Sequence, residues 1–214
     1  MTRIALLVLL VLTGTASARV VMTPAIPRQC RELESWDKVM TCVKRFGEAK
    51  VAKELPGAKL IAVTKPNYRV PGLYLYREKG KHWVIAGMFE ANGTFEVFSL
   101  SKPTIAKHTG YRIDVGIVED SSGEGSKAII QQKISVFCSG ESYFCSDVMT
   151  SCDYLVDGRA RESFRGKLTI KNDIVKVTGD SSRSGTMCVA GSEIQLDFAA
   201  MARSRSATEL DPLF

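Results

Sequence analysis

The six cysteines are the side chains best suited to chemistry, and their spacing decides which chemistry that is. Cys30, Cys42, Cys138, Cys145, Cys152 and Cys188 include no C-x-x-C pair, the spacing that lowers a thiol pKa for redox work. Cys138, Cys145 and Cys152 stand seven residues apart, which on a helix would align them like metal ligands. The alternation through Val148, Thr150, Tyr154 and Val156 instead reads as strand, and no histidine is near, so no metal set is expected. An even cysteine count predicts three disulfides if the chain is exported, with the pairing left open. His82 and His108 are the two histidines, which limits any Ser-His-Asp or Cys-His scheme to those positions. No nucleophile elbow, zinc-protease helix, P-loop or dinucleotide-binding turn occurs. A glycosidase needs only two carboxylates that meet in the fold, and Asp114, Glu119 and Asp120 are candidates no better than the other acids. No catalytic residue and no cofactor is therefore expected, and a hydrolase ranks behind two binding readings.

The first binding reading is a carrier of an apolar or amphipathic small molecule, with Trp83 and Phe89 as contacts among strand aromatics that include Phe95, Phe98 and Tyr111. The same aromatics would serve equally to fill a core. The second is a protein-binding module, an inhibitor or envelope adaptor, meeting its partner through the loop around Ser139 to Ser146 with Glu141, Tyr143 and Phe144. Within that loop, Ser139-Gly140-Glu141-Ser142-Tyr143 is similar to the S-G-x-x-Y loop of periplasmic C-type lysozyme inhibitors, a family of small exported β-barrels. The match spans five of 214 residues, the family's second loop motif has no counterpart and this chain is much longer, so no family is assigned from it. Asn92-Gly93-Thr94 fits the N-glycosylation pattern, but Asn-Gly between alternating strands is also the strongest hairpin signal.

These groups need elements to hold them. Leu33, Trp36, Val39, Met40, Val43 and Phe46 recur at three-and-four spacing, which predicts an amphipathic helix over Cys30 to Phe46, stopped by Gly47, with Glu34 placed to pair with Lys38. If that helix were continuous, Cys30 and Cys42 would lie about 18 Å apart, beyond the ~7 Å a disulfide tolerates. Either the helix breaks between them or each cysteine staples it to a sheet. From Ala58 the period becomes two, with Trp83, Ile85, Gly87 and Phe89 on one strand and Tyr111, Ile113, Val115 and Ile117 on another. Turn signals fall at Glu78 to Lys81, Asn92-Gly93, Lys102-Pro103 and Lys171 to Asp173, and the Ser121 to Ser126 stretch divides the strands into two groups. About ten strands with short connections predict a mostly β chain, an antiparallel meander closing as a barrel or a two-sheet sandwich, with the barrel preferred.

Residues 1 to 18 combine Arg3, an apolar run from Ile4 to Leu12 and a small-residue ending Ala16-Ser17-Ala18, the pattern of a cleaved signal peptide. The run is far short of the ~20 apolar residues a spanning helix requires, so no membrane span is expected in the mature chain. A lead-in over 19 to 29, one disulfide-stabilised domain over 30 to 200 and a disordered tail over 201 to 214 complete the expected organisation. The net charge of +6 is spread without any block of five or more like charges. The groupings Arg159, Arg161, Arg165 and Arg203, Arg205 read as solvated surface, and no nucleic-acid partner is expected. The expected product is an exported binding protein of periplasm or extracellular space, its partner an unknown protein or an apolar small molecule.

Overall fold

The computed structural model describes residues 28–66, 71–91, 93–105, 107–123, 126–141, 145–182, 187–188, 192–196 and 198. The signal peptide, the tail, Asn92, Tyr143 and Phe144 lie outside the described residues. A 3-10 turn over Arg28–Cys30 leads into β1 (Glu32–Leu33), and the helix α1 covers Trp36–Val43 before a second 3-10 turn over Lys44–Phe46. The helix starts later than its apolar spacing predicts, because Arg31 to Leu33 join the sheet instead. Leu33 lies opposite Trp83 in β5 (His82–Glu90), and the Ile85 amide donates to the Arg31 carbonyl at 2.9 Å. Ser35 then caps the helix, its hydroxyl accepting the Lys38 amide at 3.3 Å. The chain therefore breaks between Cys30 and Cys42, and the two form a disulfide with Cα atoms 5.7 Å apart. The expected Glu34–Lys38 pair forms on the exposed side.

Strands β2 (Glu48–Leu55), β3 (Ala58–Thr64) and β4 (Gly72–Lys79) follow, and β5-β4-β3-β2 is an antiparallel meander with β1 on its outer edge. After β5 the chain leaves this sheet. Strand β6 (Thr94–Ser101) does not pair with β5, so their connection is not a hairpin but the crossing between sheets. Gly93 has φ of 105°, and a methyl group there would lie 2.2 Å from the Val118 carbonyl oxygen. A short ribbon of β7 (Thr104–Ile105) and β8 (His108–Thr109) leads to β9 (Tyr111–Asp120), β10 (Ala128–Cys138), β11 (Cys145–Val156), β12 (Arg159–Lys171), β13 (Ile174–Ser182) and β14 (Ser192–Gln195). These form a seven-stranded antiparallel sheet in the order β6-β9-β10-β11-β12-β13-β14. The segment Ser121 to Ser126 belongs to the connection between β9 and β10, strands of one sheet, so the division between strand groups falls between β5 and β6 instead. The chain is thus mostly β and antiparallel with one short helix, but the sheets do not close into a barrel.

Three apolar clusters hold these layers. Leu60, Leu73, Leu75 and Phe89 of the five-stranded sheet meet Ile113, Val115, Ile134 and Val136 of the larger one. On the opposite side of the five-stranded sheet, Val39 and Val43 of α1 pack with Ile61, Tyr74, Tyr76 and Ile85. Tyr76 is fully buried there, and its hydroxyl donates to the Cys30 carbonyl at 2.8 Å. The third cluster joins Phe137 and Val148 to Phe164, Val175, Val177, Leu196 and Phe198, where the outer strands of the larger sheet turn back over themselves. Gly166 and Gly179 are opposed in that hairpin, and a methyl on Gly179 would lie 1.9 Å from the Arg165 carbonyl oxygen, so the glycine pair permits the close bend. Cys152–Cys188 staples this region, while Cys138–Cys145 joins directly opposed residues of β10 and β11. Three disulfides fit an oxidising environment such as the periplasm or the extracellular space. Among the described residues no helix is long and apolar enough to cross a membrane.

Candidate functional site: an open groove across the larger sheet

Strand register, rather than sequence proximity, assembles the main concave surface. Glu96, Gly116, Lys133, Ser151 and Arg165 are opposed in turn along β6, β9, β10, β11 and β12, forming one row across five strands. Thr94, Val118, Gln131 and Asp153 form the row beside it. Opposed residues point to the same face of a sheet. That face lies away from the cluster shared by the two sheets, and it bounds a groove of about 750 Å³.

Two β-bulges shape the groove. Val97 opposes Val115 and Ser99 opposes Asp114, leaving Phe98 as an extra residue in β6. Both Phe98 and Ser99 therefore stand on the open face, and Leu100 returns to the core. Phe98 is 45% exposed and rests on Gly116, where a methyl group would come within 2.8 Å of its ring. Thr150 is the extra residue of the second bulge, and its hydroxyl donates to the Lys133 carbonyl at 3.1 Å. The Lys133 ammonium lies 5.6 Å from the Phe98 ring centroid.

The charged groups differ in how far they are committed. Arg165 Nη2 donates to both Asp153 carboxylate oxygens, at 2.9 and 2.6 Å, while its Nη1 donates to the carbonyls of Cys152 and Phe164. Lys133 and Glu96 have no ion pair among the described residues. Further along, the groove meets a second concavity of about 270 Å³ that reaches Arg112, Asp114 and Ser135. Asp114 accepts from Ser99 at 2.6 Å, from Ser135 at 2.6 Å and from Arg112 at 2.9 Å. Burial, the largest single influence, raises the Asp114 carboxyl. The Ser135 and Ser99 hydrogen bonds and the Arg112 guanidinium together outweigh it and hold the group below the usual carboxylate range.

The residues expected from sequence to bind are dispersed. Trp83 packs against Trp36, with ring centroids 4.9 Å apart, on the helix side of the five-stranded sheet. Phe89 is buried between the two sheets. A bulge in the β4–β5 pairing puts Leu75 opposite Gly87 and Tyr76 opposite Ile85, which sends Trp83 and Phe89 to opposite faces of one strand. Glu141 is exposed within the β10–β11 connection, and its amide donates to the Ser139 hydroxyl at 3.2 Å. His82 and His108 are exposed at the starts of β5 and β8. Among the described residues no group of three or more histidine, cysteine or acidic side chains could hold a metal ion. Lys133 and Asp153 were not singled out, Thr150 was read only as strand and Arg165 only as solvated surface, because no spacing connects the four. Gly116, a gap in an otherwise bulky alternation, was the one local sign. Compared with known proteins, the chain matches no family model, no curated protein and no solved structure.

Proposed function

We propose that this chain is an exported binding protein without catalytic activity, holding an amphipathic ligand against the open face of its larger sheet. The observation that carries the reading is Phe98, placed by a bulge on the glycine floor of a groove whose remaining lining mixes polar side chains with apolar ones such as the exposed Val118. An exposed ring beside hydrogen-bonding groups suits a ligand with both apolar and polar surfaces. The carboxylates of the groove are poorly arranged for glycoside hydrolysis. Asp153 is engaged by Arg165, and Glu96 stands three strands away, its backbone roughly 14 Å distant across the sheet. Export is supported by the three disulfides together with the N-terminal sequence. Native mass spectra of the protein from its own source should show a bound mass released on denaturation. Phe98→Ala should fold and melt as the parent does while losing that mass; a retained mass in the variant would move the ligand elsewhere.

A second reading is favoured by the base of the β10–β11 connection. Cys138–Cys145 closes it at opposed positions, and Arg77 of the other sheet donates from Nε to the Gly140 carbonyl at 2.5 Å. A connection braced from two sides suits presentation to a protein partner, with less ordering cost on binding. Glu141→Ala should then reduce capture of that partner at unchanged stability, and undiminished capture would count against this surface.

A further inference from the structure

We propose that the ligand of the groove is an uncharged oligosaccharide laid across the strands, an inference that rests on the groove being the binding site. Charge complementarity is the first argument. Glu96 and Asp153 are matched by Lys133 and Arg165, so the lining carries both signs and no excess of either. Nucleic acids and anionic lipid surfaces are held by uncompensated cations, and here Lys133 is the one lining cation without a carboxylate partner among the described residues.

The second argument is the pairing of groups around the ring. Phe98 lies over Gly116 with much of its surface open, offering an apolar platform for the C–H face of a sugar ring. A hydroxyl both donates and accepts. The Lys133 ammonium can donate to hydroxyls, the Glu96 carboxylate can accept from them, and the Gln131 amide can do both. A purely aliphatic ligand would strip water from the same groups and leave them without partners.

Length is the third argument. The row from Glu96 to Arg165 spans four inter-strand steps, about 19 Å, which is longer than a single sugar ring and fits a short chain. Bulged Phe98 and Thr150 flank Lys133 near the middle of that path, so the chain would make its central contacts there.

The full mature chain should be applied to a printed array of neutral glycans, with oligogalacturonates as a matched anionic set, and its hits measured by calorimetry. At least one neutral oligosaccharide should bind while the oligogalacturonates do not. Phe98→Ala should weaken that binding by about tenfold or more, the effect of removing one aromatic anchor. Phe98→Trp should preserve it, and both variants should keep the parental melting temperature. Absence of binding by every neutral glycan, or stronger binding of the anionic set, would overturn the proposal. The amphipathic dye 8-anilinonaphthalene-1-sulfonate separates the two readings. If no glycan binds but the dye binds the parent and not Phe98→Ala, the groove stands and the sugar falls. If no glycan binds and dye binding is absent or indifferent to Phe98, both fall.

Discussion

Asp114 accepts hydrogen bonds from two hydroxyls and a guanidinium on the open face of the larger sheet, and one of those hydroxyls, on Ser135, is buried. Because its carboxyl is lowered in the folded chain, the associated stability is fully present above the unfolded carboxylate value of about 3.9 and is lost as pH falls through the folded value. Asp114→Asn should therefore flatten part of the acid limb of a stability-against-pH curve obtained by urea unfolding. Asp114→Ala should cost about 1–3 kcal/mol near neutral pH, since it leaves the Ser99 and Ser135 hydroxyls and Arg112 Nε without the carboxylate they donate to. A different constraint holds at Gly87, where a methyl group would lie 2.7 Å from Cys138 Sγ and 2.8 Å from Cys145 Sγ. Gly87→Ala should destabilise by roughly 1–3 kcal/mol through overpacking. If its melting temperature is unchanged, the disulfide does not lie against β5 in solution.

The three disulfides close loops of different length, with sequence separations of 7 for Cys138–Cys145, 12 for Cys30–Cys42 and 36 for Cys152–Cys188. Loop-closure entropy then gives contributions of about 2, 3 and 4 kcal/mol in that order. Paired serine substitutions, compared by urea unfolding, should reproduce this ranking, and Cys138–Cys145 proving the costliest to remove would reject it. Hairpins that no disulfide braces were largely legible. Glu78 to Lys81 and Lys171 to Asp173 each turn the chain, with positive φ at Gly80 and Asn172. The bulges at Phe98, at Thr150 and beside Ala86 were not legible, because an extra residue exists only relative to the strand opposite. The helix was overread for a similar reason: Leu33 fits a helical stripe equally well, and pairing with β5 decides its conformation.

Across the molecule, both tryptophans sit between α1 and the five-stranded sheet, whereas most of the strand content lies in the seven-stranded one. The cluster around Leu60, Leu75, Val115 and Val136 belongs to both sheets, so neither can separate without exposing the other's apolar face. Tryptophan emission and far-ultraviolet circular dichroism should therefore report coincident denaturant transitions. Resolved transitions would show that the shared cluster does not couple the sheets. Composition and alternation made the β class visible, but neither revealed that the chain changes sheets between β5 and β6, nor that β6 pairs with β9. The groove depends on that pairing, since Glu96 reaches its row only because β6 joins β9.

That crossing also imposes an order on synthesis. All of the five-stranded sheet is encoded before β6, and the residues that cover its apolar face, Ile113, Val115, Ile134 and Val136, emerge only later. At about 5–20 residues per second, Leu60, Leu73, Leu75 and Phe89 wait some seconds beyond the ribosome with nothing to pack against. A nascent chain arrested after β6 would present one sticky surface, and a chaperone that recognises exposed aliphatic and aromatic side chains should engage it there and let go once β10 has emerged.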